Sequence, residues 1–176
     1  MNTETLGVYI IPDSEATLPQ LATEGSACFD ICGQFNEHSK IVAYGPQNIK
    51  VEVPVSTGGW MRISPGWRYL IPTGIILDIP KGFSVRLHAR SGLALNNGIV
   101  LANSQGVIDS DYIDELMIMV TTTSTSSTDI STGIRLCQAE LVRNQPTIIN
   151  LVSYLPIQKT DRKGGFGSTG INRMEL

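Results

Sequence analysis

The 176-residue sequence contains no run of lysine or arginine, and its net charge is −3 with a pI near 5.3. A chain without a basic stripe is a poor surface for nucleic acid or for an anionic membrane, so neither partner is expected. A free nucleotide is still admitted, because a few placed arginines and a metal ion can hold a triphosphate. Cysteine is scarce too: Cys28, Cys32 and Cys137 are an odd set in a long chain, which argues against a disulfide framework. Cys28, Cys32 and His38 lack a fourth ligand and match no common zinc spacing, so half-buried or buried thiols are expected. The first residues, MNTETLGVYIIP, carry no basic n-region, and no apolar run approaches membrane-spanning length. A reducing cytoplasm is the expected setting.

Helix signals are also few. What recurs instead is period-two alternation broken by turn residues. Gly7 to Ile11 reads as a short strand. Ala27, Phe29 and Ile31 alternate with Cys28, Asp30 and Cys32, which puts Asp30 on the face away from the apolar set. Ile49, Val51, Val53 and Val55 alternate with Lys50, Glu52 and Pro54, and the proline suggests an edge strand or strand end. Pro80-Lys81-Gly82 is a turn signal. The alternation from Phe83 to Ala89 then predicts a strand that delivers Arg90 on a polar face, with the chain breaking at Gly92. Asn96-Asn97-Gly98 marks another turn, and Ile99 to Ala102 a short buried strand. Leu116, Ile118 and Val120 continue the alternation. Thr121 to Thr128 reads as a polar strand-turn region, because threonine is favoured in strands. Gln138 to Val142 and Thr147 to Val152 are expected to complete the sheet. Many short strands with turns between them predict an all-β sandwich or barrel. The length suits a single domain with a real core.

Chemistry-bearing residues concentrate in His88 to Leu116, HARSGLALNNGIVLANSQGVIDSDYIDEL. Arg90, Ser91 and Gly92 join a guanidinium fork suited to phosphate, a hydroxyl and a flexible backbone. The Asn103 amide offers a donor and an acceptor, which suits a polar ring edge. Asp109 and Asp111 share a face if extended; they could be a solvated turn, a general base or part of a metal site. Farther on, Arg162 to Gly170 is glycine-rich and lacks the GxxxxGK[ST] pattern of a P-loop.

ARSGLA followed by GIVLANSQGVIDSDY resembles the second and third motifs of the trimeric dUTP pyrophosphatases (dUTPases). SACFDI at Ser26 to Ile31, GIRLCQAELV at Gly133 to Val142 and RKGGFGSTG at Arg162 to Gly170 resemble the first, fourth and fifth, in the right order. The resemblance implies a distorted jelly-roll β-barrel assembled as a homotrimer with shared active sites. It implies hydrolysis of dUTP to dUMP and pyrophosphate, with Mg²⁺ as cofactor. Asp109 would orient and deprotonate the attacking water. Tyr112 would pack on the deoxyribose and leave no room for a 2′-hydroxyl. Asn103, with backbone groups around Gly106 and Ile108, would read uracil on a hairpin spanning roughly Ile99 to Tyr112, and Met117 would contact the base. Arg90, Ser91, Gly92 and Gln138 would serve the phosphates. Asp30 would stand near the metal's water shell or support the phosphate site. Phe166 would stack over uracil from a C-terminal lid, with Arg162, Gly167, Ser168 and Thr169 near the terminal phosphate. The implied organisation is a domain over 1–160 and a flexible lid over 161–176.

The sequence departs from the family pattern in several places, one of them a fifth motif that is one residue shorter than usual between Arg162 and the Gly164-Gly165 pair. Ile134 replaces the usual acid of the fourth motif, and Cys137 the common alanine. The segment 35–66 exceeds that of short members by roughly twenty residues, where connections typically run to about 4–6. Ile41 to Tyr44 and Ile49 to Val55 make a hairpin there plausible, and a protein partner could use it. Two rival readings follow. A dCTP deaminase of the same fold needs an acid in the strand after the acidic cluster, and Leu116 to Val120 contains none. A regulatory protein that binds partners through the same scaffold is the other.

Overall fold

The computed structural model describes residues 3–161 and Gly164. It divides into two units, residues 1–145 and 146–176. All the regular structure described lies in the first unit, as thirteen strands, one 3-10 turn and one short α-helix.

The strands are β1 (Gly7–Ile10), β2 (Phe29–Cys32), β3 (Lys40–Tyr44), β4 (Lys50–Pro54), β5 (Trp60–Ile63), β6 (Arg68–Pro72) and β7 (Ile75–Asp78). They continue with β8 (Phe83–Ala89), β9 (Ile99–Leu101), β10 (Gln105–Asp109), β11 (Met117–Thr122), β12 (Thr128–Ser131) and β13 (Arg135–Arg143). One sheet has the order β10-β8-β13-β2 and another β4-β3-β6-β11-β9, with two-stranded pairs β1-β7 and β5-β12. Every pairing is antiparallel.

Alternation explains the core. Ile31 of β2, Ile71 of β6, Val85 of β8 and Ile118 and Val120 of β11 turn inward and are fully buried. Their neighbours Asp30, Leu70, Arg86, Met117 and Met119 face outward, which is how a two-residue period separates core from site. The buried Ser84 is satisfied by a 2.7 Å bond to the Asn144 side chain, so its hydroxyl is not an orphan in the interior.

Several sequence expectations hold. The extra segment forms an antiparallel hairpin, with Ile41 opposite Val53 and Ala43 opposite Val51. The three cysteines are free, Cys137 buried and the others half-buried. The turn at Pro80 closes through a bond from the Phe83 amide to the Pro80 carbonyl.

Three others need correction. The chain does not simply break at Gly92: Ser91–Asn97 forms a short α-helix, α1, and Gly98 ends it with φ of +68°. The Asn-Asn-Gly signal is therefore a helix C-terminus, the other common use of a left-handed glycine. Ile99 to Tyr112 is not a paired hairpin, because β9 pairs with β11 while β10 pairs with β8 in the other sheet. A turn at Asn103-Ser104 carries the chain from one sheet to the other. Finally, Thr147 to Val152 forms no strand; Ile148, Ile149 and Leu151 are almost wholly exposed. β-branched composition favours a pleated surface but supplies no partner edge.

Candidate active site

The residues singled out by sequence fall into two groups at opposite ends of the β8–β10 pair. At one end β10 closes with Asp109, opposite Ser84 of β8. The Tyr112 amide bonds back to the Asp109 carbonyl at 3.2 Å, so the chain turns sharply and both side chains stay at the surface. Asp109, Asp111, Tyr112, Ile108, Leu70 and Met117 line an open concavity of about 510 Å³. Its floor is apolar and its rim acidic, a form suited to a flat ring with a polar tail. Burial, and the nearby carboxylates of Asp114 and Glu115, push the Tyr112 phenol up, so it stays a hydroxyl. That hydroxyl donates to the Glu115 carbonyl at 2.9 Å. Asn103 sits at the opposite end of β10, and neither it nor Gly106 belongs to this lining.

At the other end β8 runs out into Arg90, which has extended backbone and precedes α1; Ser91 is the first helical residue. Arg90 Nε donates to Asp30 Oδ1 at 2.9 Å. Arg135 donates to Asp30 Oδ2, also at 2.9 Å. Arg90 donates besides to the Arg135 carbonyl at 3.2 Å. Asp30 thus holds two guanidinium groups with one carboxylate, and both of its oxygens are engaged. Gln138 lies directly opposite Asp30 on β13. Together with Ser26, Ala27 and Cys28 these two line a shallow cavity of about 240 Å³. Gly92 is open, with no atom within 4 Å of where a Cβ would stand. Next along β8, His88 Nε2 lies 2.9 Å from a Glu140 oxygen. The Cys137 thiol beneath is pushed up to about 12, chiefly by burial and then by Asp30 and Cys32, which keeps it protonated and inert.

Arg135 was not singled out by sequence. Simple alternation puts it on the face opposite Gln138, but a register shift between Arg135 and Cys137 returns both to the same side. Ile134, where an acid is usual, packs against the core instead. Arg162, Phe166, Gly167, Ser168 and Thr169 lie outside the described residues.

The separation of the two groups follows from register. Asp109 is opposite Ser84, and Arg90 is six residues farther along the same direction. At about 3.3 Å per residue that is roughly 20 Å, whereas reacting groups must come within about 3–3.5 Å. Within one copy the two groups therefore line separate cavities.

Metal binding can be tested against the same residues. Among the described residues no cluster of three His, Cys, Asp or Glu could hold a metal ion. With both Asp30 oxygens engaged by arginines, the side chains fit a cation that keeps its ligands on phosphate and water rather than one caged by protein. No helix among the described residues is long and apolar enough to cross a membrane.

The chain matches the dUTPase family model over residues 59–170. It is 37% identical to the deoxyuridine 5'-triphosphate nucleotidohydrolase of Finegoldia magna, over 93% of this chain and 98% of that one. It is 36% identical to that of Brucella melitensis biotype 2, over 94% of this chain and 93% of that one. Among solved structures, a dUTPase of Staphylococcus bacteriophage 80alpha with dUpNHpp matches at a TM-score of 0.71 and 19% identity, covering 96% of this chain and all (100%) of that one. A dUTPase from phage phi11 of S. aureus, described with a structural Mg(II) ion, matches at a TM-score of 0.64 and 18% identity, covering 86% and 98%. The expected all-β, jelly-roll-like fold is borne out.

Proposed function

The chain belongs to the dUTPase family, and we propose that it hydrolyses dUTP to dUMP and pyrophosphate at a site shared between copies in a homotrimer. The observation that carries the reading is the concavity in which Asp109, Tyr112 and Met117 meet. Asp109 takes the proton of a water whose oxygen attacks the α-phosphorus. The bond from that phosphorus to the bridging oxygen breaks, and pyrophosphate leaves with the electron pair. Tyr112 stands against the deoxyribose, and Met117 and Leu70 floor the base pocket. Asn103, which lies toward the other end of β10, is assigned with the backbone of Gly106 and Ile108 to the polar edge of uracil. A second copy supplies Arg90, Ser91, Gly92 and Gln138 to the phosphates, with Asp30 holding Arg90 in place. Arg162, Phe166, Gly167, Ser168 and Thr169 are assigned to the terminal phosphate and the outer face of the base. Mg²⁺ carried on the triphosphate would neutralise charge on its oxygens.

The names of the matched relatives favour the hydrolase over the deaminase, as does the absence of an acid from Leu116 to Val120. Free thiols and a nucleotide substrate favour a cytoplasmic setting. A protein partner at residues 35–66 is compatible with this activity as an addition to it. Pyrophosphate release from dUTP, compared with dTTP, dCTP and UTP, tests the reading. Release from dUTP far ahead of the other three is expected. Ammonia from dCTP, or equal turnover of all four, would overturn it.

A further inference from the structure

Tyr112 stands in an exposed stretch: every residue from Ser110 to Asp114 is exposed, and Ile113 is 77% so. A ring in such a stretch can discriminate a sugar only if something holds it still. The holding contacts converge on Glu115. Its Oε1 accepts from the Gly74 amide at 2.7 Å and from the Thr73 amide at 3.1 Å. Its own carbonyl accepts the Tyr112 hydroxyl. Side chain and backbone of one residue thus tie the ring to the turn between β6 and β7.

That turn is itself rigidly specified. Gly74 has φ of +69°, and a Cβ there would meet the Ser14 side chain at 2.8 Å. Thr73 is buried, and its hydroxyl bonds the Leu116 carbonyl at 2.6 Å. The Leu116 amide bonds the Ile75 carbonyl at 2.9 Å, so the ladder fastens the residue next to Glu115 as well. Between this anchor and Asp109 the one other tether among the described residues is the Tyr112 amide on the Asp109 carbonyl.

We propose that Glu115 is a positioning residue for sugar selectivity: it clamps the Tyr112 ring to the Thr73-Gly74 turn so that a 2′-hydroxyl finds no room. The inference rests on the reading of Tyr112 as the sugar contact. Exclusion of one oxygen atom depends on sub-ångström placement, and misplacement of about 1 Å can cost roughly 10²-fold. Loss of the carboxylate would also leave two amides of the turn without their acceptor.

The test is the ratio of kcat/KM for dUTP to that for UTP, measured on the full chain with the melting temperature alongside. Glu115→Ala is expected to lower the ratio about tenfold, within the range set by such misplacement. Glu115→Gln keeps an oxygen that can accept both amides and is expected to restore the ratio to within about threefold of wild type. Tyr112→Phe keeps the ring but loses its bond to Glu115, and should lower the ratio by about threefold, as befits one hydrogen bond. A purely structural role would lower the melting temperature and slow both nucleotides in parallel, leaving the ratio unchanged; that result overturns the inference. So does a Glu115→Gln variant as unselective as Glu115→Ala. If Glu115→Ala does not fold, Tyr112→Phe decides: an unchanged ratio there refutes the clamp. A wild-type protein that fails to hydrolyse dUTP refutes the functional reading itself, whereas wild-type selectivity with unmoved variants refutes the clamp alone.

Discussion

The two ends of the β8–β10 pair are built on different principles. At the Arg90 end, charge is held by charge: a single carboxylate grips two guanidinium groups, and the Asp30 and Arg90 side chains are only 18% and 23% exposed. At the Asp109 end the acid is exposed, no arginine among the described residues forms an ion pair with it, and placement depends on backbone turns and on Glu115. The first arrangement suits a group that must always be cationic and in one place, ready for phosphate. The second suits a base that must keep a water within reach and exchange a proton with it. In the proposed reading neither end is an active site alone, and register sets them roughly 20 Å apart along the strand within one copy.

The comparison breaks most visibly at Asp109. Asp109→Asn keeps shape and hydrogen bonding but loses the base, and its kcat on dUTP should fall by about 10²–10⁴-fold while nucleotide binding persists. Steady-state pyrophosphate release and a binding titration together check this; activity within about twofold of wild type would remove Asp109 from the mechanism. At the other end, Asp30→Ala frees Arg90 and Arg135 from their shared partner. A fall in kcat/KM of about 10–100-fold is expected, because the phosphate-holding guanidinium loses its orientation. Asp30→Ala should leave the dUTP-to-UTP ratio unmoved if, as proposed, sugar choice belongs to the Tyr112 end. Tyr112→Ala should do the converse, lowering that ratio by about tenfold or more.

The smallest effect sharpens the comparison below the surface. Cys137 lies beneath the Arg90 end with its thiol raised from 9.0 to about 12. A raised pKa means that its contribution is intact below the unfolded value and is lost as pH climbs toward the folded one. Between pH 9 and 12 the unfolded chain sheds this proton and the folded chain keeps it, so stability should decline with pH. By pH 10.5 the loss is on the order of 2 kcal/mol. Urea unfolding at pH 8 and pH 10.5 measures it, and Cys137→Ala should show a decline smaller by that amount.

The sequence made most of this legible where a two-residue period ran undisturbed. Phe83 to Ala89 and Leu116 to Val120 declared their inner and outer faces, and Asp30 its outward turn. Legibility failed where local patterning is not the deciding force. Arg135 joins the site through a register irregularity that alternation cannot foresee. Asn96-Asn97-Gly98 ends a helix rather than marking a turn alone, because a left-handed glycine serves both uses. Glu115 was passed over because its partners, Thr73 and Gly74, are 42 and 41 residues away. Thr147 to Val152 has strand composition without a strand, since pairing needs an edge as well as a propensity.

The shared site is the central claim, and mixing two dead variants tests it most directly. Asp109→Asn spoils one end of each chain, and Arg90→Ala spoils the other. Each variant alone is expected to be nearly inactive. Refolded together in equal amounts, with mixed oligomers verified by mass spectrometry, they should recover roughly a quarter of wild-type dUTP hydrolysis. In a closed ring each site takes its two ends from different copies, so intact ends meet in that share of random pairings. Verified mixed oligomers that stay as inactive as the parent variants would mean that each chain carries its own complete site, and would contradict the account.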